Sequence, residues 1–436
     1  MDRRAFVRSG ALSLLAFGVL PEFLTRSLLA RTSAAARKKT LICIFQRGAV
    51  DGLSMVVPFG EKAYYAQRRS IAIDAPTRAA EAGVLDLNGF FGLHPELRPL
   101  HELFARRELS VIHAVGSPNP TRSHFDAQDY MESGTPGLKT TRDGWLNRVL
   151  ADTCTECSGR TLADGRAHAA DHAAGQMGGS SGVLALRGIA MGAELPHALR
   201  GAQPTLAIAD LQRFGIGGGM ESEFEKVYGT EAGTIVGSAA EGAFDAVQLL
   251  KKANPLQYRP AAGIEYPNGD FGRSLSQVAQ LIKSGVGVEI AFVDIGGWDT
   301  HQRQGGVQGQ LAFRLRELAR GIRALYDDLG DRMEDVVVLT MSEFGRTVAE
   351  NGSGGTDHGH ANCMFVAGGA VNGGKVLGDW PGLEAEQLYE ARDLAVTTDF
   401  RDVFSEIAAR HLGARNLDKV FPGYATDRTR WRNTLA

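Results

Sequence analysis

The chain has 436 residues, 44% of them hydrophobic, and a formal net charge of -3. That is enough apolar material for one large α/β domain or two smaller ones, and the near-neutral charge gives no reason to expect nucleic acid or an acidic membrane as partner. Four cysteines are too few for a disulfide scaffold.

The N-terminus opens with Asp2-Arg3-Arg4-Ala5-Phe6-Val7-Arg8, then an apolar run over residues 11–20 and small residues over 33–36. This is the layout of a removable export signal over residues 1–36. The paired arginines before Phe6 resemble a twin-arginine signal, which implies the twin-arginine export machinery as partner and a periplasmic or extracellular destination after folding. A membrane anchor is the alternative, but the run is too short for a span, and Gly18, Pro21 and Glu22 interrupt it. No later segment is apolar enough to cross a bilayer. Residues 37–436 are therefore expected to be a single domain with no stable membrane span.

Residues 40–45 (TLICIF) read as a buried strand that breaks at Arg47-Gly48-Ala49-Val50-Asp51-Gly52. A helix is predicted over 95–107, with Leu97, Leu100, Leu103 and Phe104 on one face. A second strand over 109–115 ends at Gly116-Ser117-Pro118. A strand-helix-strand unit makes the two strands parallel. Residues 154–182 read as a mobile excursion, rich in Gly, Ala and Ser, with His168 and His172 expected to be solvated. Cys154 and Cys157 could bind zinc, exchange electrons or close a local disulfide; with no second pair for zinc, a local disulfide or no bond is favoured. A short strand is read at 206–209 and another at 286–293. A core helix over 308–329 carries leucines at alternating spacings of four and three and is closed by Gly330. A further strand covers 335–340, and a helix over 401–412 follows Thr397-Thr398-Asp399, residues suited to capping it.

The chemistry gathers just past the strand ends. Asp51 follows the first strand. Thr121-Arg122-Ser123-His124 follows the second, at the start of a helix. Trp298-Asp299-Thr300-His301 and Ser342-Glu343-Phe344-Gly345-Arg346 follow two others, and Gly355-Thr356-Asp357-His358-Gly359-His360 comes last. In open parallel sheets ligands bind at the carboxyl ends of the strands. Mixed carboxylate and imidazole donors suit divalent cations. Asp299 and His301, completed by His358 or His360, are expected to hold one ion; Asp51, Glu343 and Asp357 could hold a second. Zinc, manganese, calcium and magnesium are the candidates. Ser123 or Thr121 at a helix start is a reasonable nucleophile, Arg122 and Arg346 are candidates for anion contact, and Trp298 is a candidate pocket wall. The plainer alternative for each residue alone is a helix cap, turn former or surface charge.

RGAVDGL, RSHFDAQ, GGWDTH, SEFGRT and TDHGHAN, in this order behind a twin-arginine signal, resemble the exported bacterial proteins of the domain of unknown function 1501 family. The resemblance implies the alkaline phosphatase and sulfatase superfamily: a three-layer α/β sandwich with a mostly parallel central sheet and usually two metals. By that resemblance Asp51, Asp299, His301, Glu343 and His358 or His360 match ligand positions, and Ser123 or Thr121 matches the nucleophile. The chain departs from the pattern at Phe344, where a ligating histidine is expected, and at Glu343, which replaces an aspartate.

The expected function is hydrolysis of a phosphate or sulfate ester, with a small anionic ester or an anionic polymer as substrate. The alternative is a non-catalytic binding or assembly protein that keeps the fold and one metal.

Overall fold

In the computed structural model, residues 38–76, 83–154, 184–214 and 245–436 are described, and Lys39–Ala436 forms one compact unit. The expected signal segment, the excursion with His168 and His172, and Cys157 lie outside the described residues. Cys154 is disulfide-bonded, whereas Cys43 and Cys363 are buried free thiols. Among the described residues no helix is long and apolar enough to cross a membrane.

The fold is mixed α/β around a largely parallel sheet. Its middle strand is β1 (Thr40–Gln46), seven consecutive buried residues. The chain continues through α1 (Arg98–Ala105), β2 (Leu109–Gly116), α2 (His124–Ser133) and α3 (Trp145–Asp152). The short strands β3 (Gly188–Met191) and β4 (Leu206–Ala207) come next, then α4 (Asp270–Ser284), β5 (Ile290–Ile295), α5 (Gln310–Leu329) and β6 (Val336–Met341). Last are β7 (Asn362–Gly368), β8 (Lys375–Leu377), β9 (Thr398–Asp399), α6 (Phe400–Arg410) and α7 (Leu417–Val420). The strand order is β8-β2-β7-β6-β1-β5-β3-β4, with β9 paired to β2. β1 runs parallel to β5 and β6, while β7 is antiparallel to both its neighbours, β6 and β2.

Alternation along β1 explains why both faces are covered. Ile42 and Ile44 enter a core with Leu100 of α1, Leu275 of α4 and Leu315 of α5. Leu41, Cys43 and Phe45 enter a second core with Trp145 of α3, Phe404 of α6 and Val420 of α7. On α5, Leu311, Leu315, Leu318 and Leu325 are fully buried, and each contributes about 1.5–3 kcal/mol. That outweighs the roughly 1 kcal/mol that Gly321 costs the helix. A Cβ at Gly321 would come within 2.5 Å of Phe271 on α4, so the glycine permits the close crossing.

Several boundaries differ from the sequence expectation. The strand expected at 286 begins at Ile290, because Gly285 and Gly287 both take positive φ, 71° and 93°. The strand expected at 206–209 shortens to Leu206–Ala207. The helix expected over 95–107 is a 3-10 turn, Pro95–Leu97, leading into α1. At α6 the Asp399 carboxylate accepts from the Arg401 amide at 2.9 Å. Asp399→Ala is expected to lower stability by about 1 kcal/mol, read as a shift in urea midpoint.

Candidate metal centre

β1, β2, β5 and β6 all point the same way, so the loops after them share one rim of the sheet. β7 runs the other way, so the loop before it arrives at that same rim. The loops after β6 and before β7 are stitched by an antiparallel bridge between Arg346 and His358. Glycine is needed there: a Cβ on Gly359 would sit 2.3 Å from the Arg346 backbone.

Four side chains converge at this rim. His358 Nε2 lies 3.0 Å from His124 Nε2 and 3.0 Å from His301 Nε2. Asp299 Oδ1 is 3.0 Å from His301 Nε2 and 3.2 Å from His358 Nε2, and its Oδ2 is 3.6 Å from His124 Nε2. Donor atoms of His124, Asp299 and His358 all lie within 4.8 Å of one another, which makes these three a candidate metal-holding group.

The outer partners favour a proton on the outward-facing nitrogen of each ring. His124 Nδ1 donates to Glu343 Oε1 at 2.8 Å, His301 Nδ1 to Asp357 Oδ1 at 3.0 Å, and His358 Nδ1 to the Arg122 carbonyl oxygen at 2.9 Å. Carboxylates and carbonyls can only accept, so these contacts favour a proton on Nδ1, while the Asp299 Oδ1 beside the Nε2 atoms of His301 and His358 competes for a proton there. With that tautomer the Nε2 lone pairs of His124 and His358 face each other beside the Asp299 carboxylate, where a cation would relieve their repulsion, and the His301 Nε2 borders Asp299 and His358. Metal-ligating histidines are held by outer partners in this way. Three imidazoles and one carboxylate match the donors preferred by zinc and other borderline ions, whereas calcium and magnesium prefer oxygen.

The surroundings keep the carboxylates ionised. Burial alone would raise the Glu343 carboxyl, but hydrogen bonds from His124, Gln128 and the Gly48 amide hold it below the usual range. Burial likewise works to raise Asp299, and the hydrogen bond and charge of Arg346, together with His301 and His358, hold it below the usual range. The hydrogen bond from His301 lowers Asp357. His124 is raised by its hydrogen bond to Glu343, and His358 is lowered by burial. The Phe344 ring packs 5.0 Å from both the His124 and His358 rings, walling the back of the site.

The structure brings Asp299, His301 and His358 together and sets Glu343 and Asp357 behind two of the rings. It places the other expected ligands elsewhere. Asp51 is fully buried and bound to Arg68, Ser54 and Gln304. His360 turns its Nε2 to the Ser117 carbonyl and packs its ring, tilted, against Tyr389. Arg122 spends its guanidinium on Asp393 and Glu390. Arg346 is buried behind Asp299 and also donates to the carbonyls of Gly48, Ala49, Trp298 and Thr356. Trp298 is buried, with its indole N–H on the Ile295 carbonyl. Ser123 is the exposed N-cap of α2, and its hydroxyl makes no capping hydrogen bond. Thr121 Oγ1 accepts from the Ser123 amide at 3.3 Å.

His124 is the member that sequence reasoning missed. The hydroxyls beside it, on Thr121 and Ser123, read as nucleophiles. The available signal was an imidazole in the first turn of a helix opening at a strand end, as in the other loops.

No curated protein matches the chain. Residues 220–421, which include Asp299, His301, Glu343 and His358 but not His124, match the family model described as Protein of unknown function (DUF1501).

Proposed function

We propose that the protein is an exported, single-metal hydrolase of esters, with phosphate and sulfate esters as its substrate class. The observation that carries the reading is the cluster of His124, Asp299 and His358, whose donor atoms lie within 4.8 Å of one another, with His301 beside Asp299 and His358. Export is supported by the Arg3-Arg4 signal pattern. A divalent cation bound there would supply Lewis acidity, polarising an ester oxygen and easing ionisation of a nearby hydroxyl. Glu343, Asp357 and the Arg122 carbonyl orient the three rings. Arg346 orients Asp299. Ser123 stands one residue before a ligand, exposed and free of capping duty, and is the candidate nucleophile; Thr121 is the alternative. The amides opening α2 favour an anion at its N-terminus.

The test is a panel of aryl phosphate and sulfate esters with the zinc- or manganese-loaded protein, beside Ser123→Ala. Turnover that requires metal and disappears in the folded variant is the expected result. Unchanged turnover in Ser123→Ala would remove the nucleophile assignment, and turnover that survives complete chelation would remove the metal reading.

One observation favours a second reading, a metal-holding binding or assembly protein without turnover. Both arginines expected to contact the anion, Arg122 and Arg346, are engaged by carboxylates. Stoichiometric metal with silence across the whole panel supports this alternative.

A further inference from the structure

We infer that Gln304, held by Asp51, is the positioning residue of the metal centre, acting through the hydroxyls of Thr300 and Thr356. The inference rests on the metal reading above and adds residues that contact no ligand atom.

Gln304 is fully buried. Its Nε2 donates to Asp51 Oδ2 at 2.6 Å, and its Oε1 accepts from Thr300 Oγ1 at 2.9 Å and Thr356 Oγ1 at 2.8 Å. An amide can be turned either way in principle, but here only one orientation works. Asp51 is ionised: burial would raise its carboxyl, yet Arg68, Ser54 and Gln304 hold it below the usual range. An ionised carboxylate only accepts, so the Gln304 NH2 must face it and the carbonyl must face the threonines. Both hydroxyls are then obliged to donate. One buried charge thereby fixes the direction of every bond in the chain from Asp51 to the two loops.

Those loops carry three of the four converging side chains. Thr300 lies between Asp299 and His301, and Thr356 precedes Asp357 and His358. The Thr356 amide also donates to the Thr300 carbonyl at 3.2 Å, and the Gln304 amide to the Gly354 carbonyl at 2.9 Å. Gln304 therefore clamps the two loops together without touching the ligand atoms. Release of either hydroxyl lets the His301 and His358 rings drift apart, and the cation is held less tightly. Outer partners of this kind change metal affinity about 10–100-fold when removed.

The experiment is an equilibrium titration of the full chain with cobalt(II), following visible ligand-field bands and chelator competition. Thr300→Val, Thr356→Val and Gln304→Met are compared with Thr300→Ser and Thr356→Ser. Each valine variant is expected to bind cobalt about 10-fold or more weakly with altered bands, and the serine variants to restore both. A purely structural role would lower the unfolding midpoint and leave affinity and spectrum of the folded protein at parental values. Parental affinity and bands in folded valine variants overturn the inference. If Gln304→Met does not fold, the near-isosteric valine variants decide. A parent that takes up no cobalt overturns the metal reading itself, a result distinct from a parent that binds and variants that bind equally.

Discussion

His124→Ala is expected to weaken metal binding by more than about 100-fold, beyond the upper end of what losing an outer partner costs. The substitution removes one of four converging donors and takes away the partner that holds Glu343 at 2.8 Å. Glu343 would keep Gln128, the Gly48 amide and Ser342, so the fold should survive. Glu343→Gln makes the informative contrast. An amide oxygen can still accept from His124 Nδ1, but the ring loses its charged partner, and the expected loss is about 10–100-fold. Competition against a chromogenic chelator measures both. Parental affinity in His124→Ala would remove this histidine from the centre and leave Asp299, His301 and His358 to hold the ion alone.

The largest expected effect on stability belongs to Arg68→Met. Arg68 and Asp51 are fully buried and paired at 2.6 Å, and Arg68 also donates to the carbonyls of Thr347 and Val348. Removing one partner of a buried pair costs about 3–5 kcal/mol, because the other charge stays behind without compensation. The pH dependence has a definite sign. In the parent the Asp51 carboxyl is held below its ordinary value, so its stabilisation is fully present above the unfolded pKa of about 3.9 and is lost as pH falls through the folded value. In Arg68→Met burial is opposed only by the hydrogen bonds from Ser54 and Gln304, and the balance moves toward the protonated acid. The gap between parent and variant should therefore be widest near neutrality and shrink as pH falls from the variant's higher folded pKa toward the parent's lower one. Urea midpoints at several pH values test this, and a gap of constant size would mean that the lost carbonyl contacts, not the buried charge, dominate.

Much of the scaffold was legible because its signals are local. Runs such as TLICIF, and leucines at alternating spacings of four and three, follow directly from the periodicity of strands and helices. β7 was not foreseen. Asn362–Gly368 is a short buried run rich in Cys, Met and Ala, flanked by glycines, and nothing in its pattern separates strand from helix or gives its direction. The site was legible as a set of loops but not as a set of atoms. Asp299, His301 and His358 were expected as ligands and do converge. Asp51 looked like a ligand because it follows a strand, yet its partner Arg68 lies 17 positions further on, a pairing that only the folded chain creates. His124 has the opposite history: its neighbours suggested a nucleophile, and the role of its ring depends on Glu343, 219 positions away.

The reversed strand also sets a timetable. In space, β6 and β7 stand between β1 and β2, although they come more than two hundred residues after β2 in the chain. During synthesis the first two strands must wait, unjoined, until residues near 368 have emerged. Such late, long-range pairing makes for slow folding. The clustered side chains span positions 124 to 358, so an unfinished chain has no preformed place for a cation, and a metal bound there would have to be captured after closure of the sheet.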